Sequence, residues 1–171
     1  MRVLFLSDGW TVVLCFAVWP VLQLAAAFVC LHVPDRFYSA EAPLFRTRRF
    51  EQDGMLYDRL FRVSRWKHLI PDGGRALNKN GFKKKRLANF SEANLRRFLV
   101  ESARAELTHW LAIFPFWVFW FFTPRPVPWL MLAYAFAVNL PCIIVQRYNR
   151  PRVKRFMECR ARRETAMVAQ Y

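Results

Sequence analysis

The sequence predicts an all-α integral membrane protein, with about three transmembrane helices and an amphipathic interfacial helix in a long cytoplasmic loop. Two observations support this fold class. Uncharged apolar residues form long continuous segments, and almost all basic residues lie between or after these segments. The chain has 171 residues, of which 55% are hydrophobic and 17% aromatic. We expect residues 1–171 to form a single membrane domain.

The net charge of +15 has to be explained together with this apolar content. A basic soluble domain of this size would indicate a nucleic-acid partner. Such a domain could not bury seventeen Phe and seven Trp side chains. We therefore expect a lipid membrane as the partner and no nucleic acid.

Three segments are candidates for membrane spans. Residues 10–33 hold no Asp, Glu, Lys or Arg, and neither do residues 107–122 or 128–146. About 20 apolar residues span a bilayer, so the first segment and the third, taken as 128–147, are long enough. The second is short, at about 24 Å for a rise of 1.5 Å per residue. For each segment the alternative is a buried core helix.

The first segment has a further alternative, because residues 1–27 resemble a signal peptide with an Ala-rich cleavage region. Against this reading, the only basic residue before the apolar run is Arg2, and it is offset by Asp8. The apolar run also continues past Ala27 to Val33. These features favour an uncleaved span and leave later cleavage open.

The basic residues predict the topology. Residues 36–104 hold 17 Lys and Arg, and the stretch after Gln146 holds eight. The connection 123–127 and the N-terminal tail hold one each. The positive-inside rule places the N-terminus outside, and the loop 34–106 and the basic tail 148–171 inside. The expected protein is multi-pass.

The cytoplasmic loop contains two predicted helices. Apolar residues recur at helical spacing from Met55 to Ile70, around Trp66, with basic residues on the other face. This pattern predicts one amphipathic helix, either on the lipid headgroups or packed on cytoplasmic segments. Pro71 ends it, and residues 78–86 form a basic stretch. A further helix is expected to start at the N-cap Ser91 and to run to Phe114, lengthening the second span.

We expect structural roles for the prolines and cysteines and no part in the reaction. Each span contains one proline, which is expected to kink its helix: Pro20, Pro115 and Pro141. Four cysteines lack the paired spacing of a disulfide framework or a zinc site, and we expect no metal: Cys15, Cys30, Cys142 and Cys159.

One polar cluster lies at the start of the second span, on a single helix. At 100° per residue, Glu101 and Glu106 flank His109, and Arg104 lies beyond Glu101. A carboxylate one turn from an imidazole can hold its tautomer, as a general base requires. The alternative is a row of structural ion pairs at the membrane boundary.

A second polar cluster lies on the third span. Asn139, Gln146 and Arg150 share one stripe of the helix, and Arg147 follows at its inner edge. Arginine binds phosphate or carboxylate with two hydrogen bonds, although anchoring to headgroups explains these residues equally well. His68 and Asp72 form a weaker reserve pair, whose spacing is one residue short of the HxxxxD pattern of glycerolipid acyltransferases.

Several ordered motifs occur within residues 10–152. They are Val33-Pro34-Asp35-Arg36-Phe37, Phe50-Glu51-x-x-Gly54, Arg65-Trp66-Lys67-His68 leading to Asp72-Gly73, Glu101-x-x-Arg104-Ala105-Glu106-x-x-His109-Trp110, and Asn139-x-Pro141 with Gln146-Arg147-Tyr148-Asn149-Arg150-Pro151-Arg152. Together they resemble the glycosyl-4,4'-diaponeurosporenoate acyltransferase family, small bacterial membrane proteins named for the last step of staphyloxanthin synthesis. The resemblance implies transfer of a fatty acyl group to a sugar hydroxyl of a glycosylated carotenoid, or of a related glycolipid, at the cytoplasmic membrane.

These observations lead to a set of expected roles. His109 is the expected base, oriented by Glu106 and supported by Glu101 and Arg104, with His68 as the open alternative. The expected substrate-binding residues are Asn139, Gln146, Arg147, Asn149, Arg150, Trp66, His68 and Asp72. The donor is expected to be acyl-CoA or another acyl thioester, with no bound cofactor and with a possible complex with other pathway enzymes. A non-enzymatic lipid-binding or scaffold protein is the alternative.

Overall fold

A computed structural model describes residues 3–70 and 91–168, and within these ranges the chain is helical and contains no strand. The described residues fall into two compact units. The first unit comprises residues 3–33 and 106–143, and the second comprises residues 34–70, 91–105 and 144–168. Pro71, Asp72, the turn at 72–74 and the basic stretch 78–86 lie outside the described residues.

Helix α1, Asp8–His32, corresponds to the first predicted span. Its 25 residues extend about 37 Å at 1.5 Å per residue, which exceeds the thickness of a bilayer core. Pro20 lies inside the helix without ending it. Only 11% of the apolar window is buried, and Phe16 and Phe28 are among its exposed side chains. A core helix of a soluble protein would bury most of these residues.

The C-terminal helix, Pro126–Val168, contains the third predicted span and continues through the basic tail. Pro126 occupies its first position, where the missing N–H costs nothing. Its apolar part is again long enough to cross a membrane, and 28% of that window is buried. Two helices with this length, composition and exposure indicate a membrane protein.

The second predicted span does not form one continuous α-helix. The helix that contains its start, Glu92–Ile113, begins directly after Ser91, as expected. The Ser91 hydroxyl accepts a hydrogen bond from the Asn94 N–H at 3.4 Å, in the manner of an N-cap. The helix ends before Pro115, and residues Phe114–Phe121 form a 3₁₀ helix interrupted at that proline. Proline removes a backbone donor and crowds the preceding turn, which explains the change.

The first unit has a core of apolar side chains from three segments. Ile113, Ala135 and Ile143 are buried together, with Trp19 and Leu132 packed against them. The Trp19 ring also contacts Tyr134 edge-on, with centroids 5.1 Å apart.

The second unit corrects the prediction of one amphipathic helix from Met55 to Ile70. The structure has two short helices, Met55–Phe61 and Val63–Trp66, and then a 3₁₀ turn over Lys67–Leu69. Arg62 separates the two helices, because its φ of 50° and ψ of 45° are left-handed. Only part of the predicted apolar face is buried: Val63 lies with Ile144, Val145 and Tyr148 in a buried cluster, whereas Met55 and Leu60 are exposed. The bend at Arg62 accompanies this packing.

A 3₁₀ segment, Arg49–Gly54, precedes these helices and ends in an unusual backbone conformation. Gln52, Asp53 and Gly54 have φ values of 49°, 53° and 88°. Left-handed conformations cost energy for residues other than glycine and often occur near functional sites. Gly54 also lies so close to the C-terminal helix that an added Cβ atom would meet the Tyr148 carbonyl oxygen at 2.7 Å.

Gly54→Ala is therefore expected to destabilise the protein by about 2–4 kcal/mol, from left-handed strain together with overpacking against a backbone oxygen. The measurement is thermal unfolding of the detergent-solubilised protein, followed by loss of the monodisperse peak in size-exclusion chromatography. Gly9→Ala is the matched control, because a Cβ atom at Gly9 meets nothing within 4 Å. An unchanged melting temperature for Gly54→Ala would contradict the described packing.

Candidate active site

The first unit brings His109 and Asn139 together. His109 Nδ1 lies 2.9 Å from Asn139 Oδ1, and Asn139 Nδ2 donates to the Ala135 carbonyl oxygen at 2.9 Å. The second bond fixes the orientation of the amide, because only its nitrogen can donate to a carbonyl. The amide oxygen therefore faces His109, and Nδ1 of the neutral ring must carry the proton. In this tautomer the lone pair lies on Nε2.

The surroundings of this pair are largely buried. Asn139 is 1% exposed and His109 is half-buried. Glu106, one turn before His109 on the same helix, is fully buried. The helical spacing predicted that a carboxylate would hold the tautomer of His109, and Asn139 was expected to bind substrate. In the structure the amide of Asn139 contacts Nδ1, and a role for Glu106 in orienting the ring stays a prediction.

The other two members of the predicted cluster belong to the second unit. Arg104 forms ion pairs with Glu101, three residues earlier, and with the distant Asp35. Its guanidinium also lies over the buried Tyr38 ring, 4.9 Å from the centroid. These contacts fasten the start of the 34–38 segment to the helix that carries Arg104. A supporting role for Glu101 and Arg104 in the reaction stays a prediction.

Arg147 binds the carboxylate of Glu51, which was not among the predicted site residues. Its Nη1 donates to Glu51 Oε1 at 3.0 Å, and its Nη2 donates to the Leu44 carbonyl oxygen at 2.8 Å. Glu51 also accepts a hydrogen bond from the Tyr57 hydroxyl and is 1% exposed. The available signal was the motif Phe50-Glu51-x-x-Gly54, which places an acidic residue just before the strained turn.

The ionisation of this group follows from its contacts. Burial by itself raises the pKa of Glu51, but hydrogen bonds from Tyr57, from the Arg48 N–H and from Arg147 outweigh it, so the pKa lies below its usual value. The pKa of Tyr57 is raised by burial and by its bond to Glu51. At neutral pH the group is thus a carboxylate held by a neutral phenol and a guanidinium.

The Arg150 side chain forms hydrogen bonds within the second unit. It is 2% exposed, and its two terminal nitrogens donate to the carbonyl oxygens of Phe45 at 2.9 Å and Ser102 at 3.1 Å. The guanidinium lies 5.6 Å from the centroid of the Phe45 ring. These contacts connect three segments of the unit, and a role for Arg150 in binding substrate stays a prediction.

The remaining predicted residues have different surroundings. Asn149 Oδ1 accepts a hydrogen bond from Lys67 Nζ at 3.2 Å. Trp66 packs against the buried cluster around Val63, and its ring nitrogen donates to the Phe61 carbonyl oxygen at 2.7 Å. His68 is exposed, Gln146 is half-buried, and Asp72 lies outside the described residues. The described residues contain no group of three His, Cys, Asp or Glu side chains that could hold a metal ion.

Comparison with known proteins agrees with the resemblance in the motifs. The profile of the glycosyl-4,4'-diaponeurosporenoate acyltransferase family matches residues 41–159. Proteins of that name from Staphylococcus aureus strains bovine RF122 / ET3-1 and MRSA252 are 35% identical over 153 residues, which cover 90% of this chain and 92% of each relative. The relative from strain Newman is 35% identical over 147 residues, covering 86% of this chain and 88% of its own length.

No solved structure matches this chain significantly. The profile match covers most of the sequence, and so do these relatives. The matched range 41–159 includes the pair His109–Asn139 and the pair Glu51–Arg147. The chain therefore belongs to the glycosyl-4,4'-diaponeurosporenoate acyltransferase family.

Proposed function

We propose that this membrane acyltransferase moves a fatty acyl group from an acyl thioester, such as acyl-CoA, to a sugar hydroxyl of a glycosylated carotenoid or a related glycolipid. The observation that carries the proposal is the His109–Asn139 pair, which supplies an oriented base in a chain of this family. Both the acceptor and the acyl chain are lipids, so a site carried by apolar helices suits them. No resident cofactor or metal takes part in the proposed reaction.

In the proposed mechanism, Asn139 holds the proton on Nδ1 of His109, so that Nε2 acts as the base. Nε2 accepts the proton of the sugar hydroxyl while the hydroxyl oxygen bonds to the thioester carbonyl carbon. The carbon–sulfur bond then breaks, and the departing thiolate takes the proton back from Nε2. The products are the sugar ester and the free thiol, and the imidazole returns to its starting tautomer.

The proposal includes a topology with three membrane crossings. They are residues 10–33, 107–122 and 128–147, with the N-terminus outside and the C-terminus inside the cytoplasmic membrane. Support comes from the distribution of charge, since 17 basic residues lie in the loop 34–106 and seven in the tail 148–171, both assigned to the cytoplasm.

The direct test supplies the purified protein in maltoside detergent with acyl-CoA and a glycosyl-4,4'-diaponeurosporenoate acceptor. Mass spectrometry is expected to show a product heavier than the acceptor by one esterified acyl group, together with free CoA. Reactions without acceptor separate transfer from simple thioester hydrolysis. Absence of the ester with every acyl thioester offered, from a protein that elutes as a folded species, would overturn the proposal.

A further inference from the structure

Two cations of the second unit lie beside one buried tyrosine ring. Lys67 Nζ is 4.9 Å from the centroid of the Tyr148 ring, and the Arg152 guanidinium carbon is 4.7 Å from it. Tyr148 is 2% exposed and belongs to the apolar cluster with Val63 and Ile144, so the ring is firmly positioned. Arg152 also donates a hydrogen bond to the Tyr148 hydroxyl oxygen. Both positive charges thus lie within 5 Å of the centroid of one ring, and each acts on the other electrostatically.

Each cation is positioned by neutral groups. Lys67 Nζ donates to Asn149 Oδ1 at 3.2 Å, and an ammonium group has two further N–H bonds. Neither Lys67 nor Arg152 forms a salt bridge with a carboxylate among the residues that the structure describes. The carboxylate of Asp58 interacts electrostatically with both Lys67 and Arg152. Its Oδ1 accepts a hydrogen bond from the Ser64 N–H at 2.8 Å.

This arrangement differs from that of the arginines favoured by sequence analysis. Arg147 donates to Glu51 and Leu44, and Arg150 donates to two backbone carbonyl oxygens. Lys67 was not among the predicted site residues. Lys67 and Arg152, in contrast, are held beside one neutral aromatic ring.

We infer that Lys67 and Arg152 form a binding site for a phosphate ester, which is either the phosphorylated carrier of the acyl donor or the headgroup of an anionic lipid. The first source rests on the proposed function, since acyl-CoA carries phosphate groups. A phosphate offers several acceptor oxygens and a negative charge, and Lys and Arg are the side chains that bind it best.

The electrostatics of the pair favour such a ligand. Burial lowers the pKa of Lys67, the charge of Arg152 lowers it further, and Asp58 opposes them only in part. Two cations at one aromatic ring repel each other, and a bound anion replaces this repulsion by two attractions. The neutral donors and acceptors around them, Asn149 and Tyr148, hold the cations without neutralising them.

The test measures binding to the full-length protein in phosphate-free maltoside detergent, by isothermal titration calorimetry. One titration uses coenzyme A, and a second uses short-chain phosphatidylglycerol. At least one ligand is expected to bind, and Lys67→Gln with Arg152→Gln is expected to weaken that binding by about tenfold or more. The ligand that responds identifies the source of the phosphate.

The matched control removes two charges elsewhere on the same C-terminal helix. Arg162→Gln with Arg163→Gln alters exposed residues beyond the cluster and is expected to leave binding unchanged. Lys67→Arg keeps the charge and is expected to retain most of the affinity, which separates charge from folding. The inference is overturned if neither ligand binds the natural protein, or if the Lys67/Arg152 variant binds as tightly as the control.

Failure of this inference is distinguishable from failure of the proposed function. If acyl transfer proceeds and the Lys67/Arg152 variant has an unchanged KM for acyl-CoA and unchanged lipid binding, only the phosphate site is wrong. If coenzyme A binding depends on Lys67 and Arg152 while no sugar ester forms, the site stands and the acceptor chemistry is wrong. Each outcome is read from a separate measurement.

Discussion

Replacing His109 by Gln is expected to lower kcat for sugar-ester formation by about 10²- to 10⁴-fold, the usual contribution of a general base. Glutamine can still donate to Asn139 Oδ1, so the local packing is preserved while the basic nitrogen is lost. This loss corresponds to about 3–5 kcal/mol of transition-state stabilisation. The measurement is initial-rate kinetics with radiolabelled acyl-CoA at saturating acceptor.

The other two histidines provide the controls for this prediction. His68→Gln tests the reserve base directly, and His32→Gln alters an exposed histidine of α1 whose Nδ1 lies 2.9 Å from the Phe28 carbonyl oxygen. Both variants are expected to keep their activity within about threefold of the natural protein. Full activity of His109→Gln, or loss of activity confined to His68→Gln, would remove His109 from the mechanism.

We expect Asn139 to affect the reaction through His109, and a double-mutant cycle tests this dependence. Asn139→Ala removes the acceptor that holds the proton on Nδ1, and we expect kcat to fall by at least about tenfold. In the His109→Gln background the same change is expected to have little further effect, because the two residues act as a unit. Independent, multiplicative losses would show that Asn139 has a different role.

Replacing Glu51 by Ala is expected to destabilise the protein by about 3–5 kcal/mol, the usual cost of removing one partner of a buried ion pair. The change leaves the Arg147 guanidinium without its carboxylate and the Tyr57 hydroxyl without its acceptor. Thermal unfolding in detergent measures the effect, ideally at several pH values. Glu158→Gln is the control, because Glu158 is exposed and lies 3.8 Å from Lys154 Nζ, and such surface pairs contribute about 0–1 kcal/mol.

The pH dependence of the Glu51 effect has a definite sign. The pKa of Glu51 is lowered in the folded protein, so its stabilising contribution is complete above the pKa of the unfolded chain, about 4.3. The contribution is lost as the pH falls through the lower, folded-state pKa. The difference in stability between the natural protein and Glu51→Gln should therefore be constant at neutral pH and shrink only in acid. A difference that grows on acidification would contradict the assigned contacts.

The sequence determined several local features of the fold. The helix after Ser91 begins where the N-cap predicted, because a cap is a contact between residues three positions apart. The two apolar helices cover the first and third predicted spans, because hydropathy over about 20 residues decides whether a segment favours lipid. The motifs along residues 10–152 also identified the family correctly.

Helical spacing alone could not predict where the amphipathic segment bends. The apolar positions from Met55 to Ile70 fit one helix, but the chain turns at the left-handed residue Arg62, directly before Val63 is buried beside Tyr148. Likewise, the uniform hydropathy of residues 107–122 did not predict that the α-helix would give way to a 3₁₀ helix near Pro115. In both places packing and backbone sterics overrode the periodicity.

The sequence by itself thus determined the membrane-type composition, the main helices, the family and His109 as a base candidate, since these depend on local patterns. Only the tertiary structure decided the partners of the site residues. His109 meets Asn139 from 30 positions away, and Arg147 meets Glu51 from 96 positions away. Such pairs arise from the packing of whole segments, whose energy is summed over many weak contacts. No spacing rule along the chain encodes that sum.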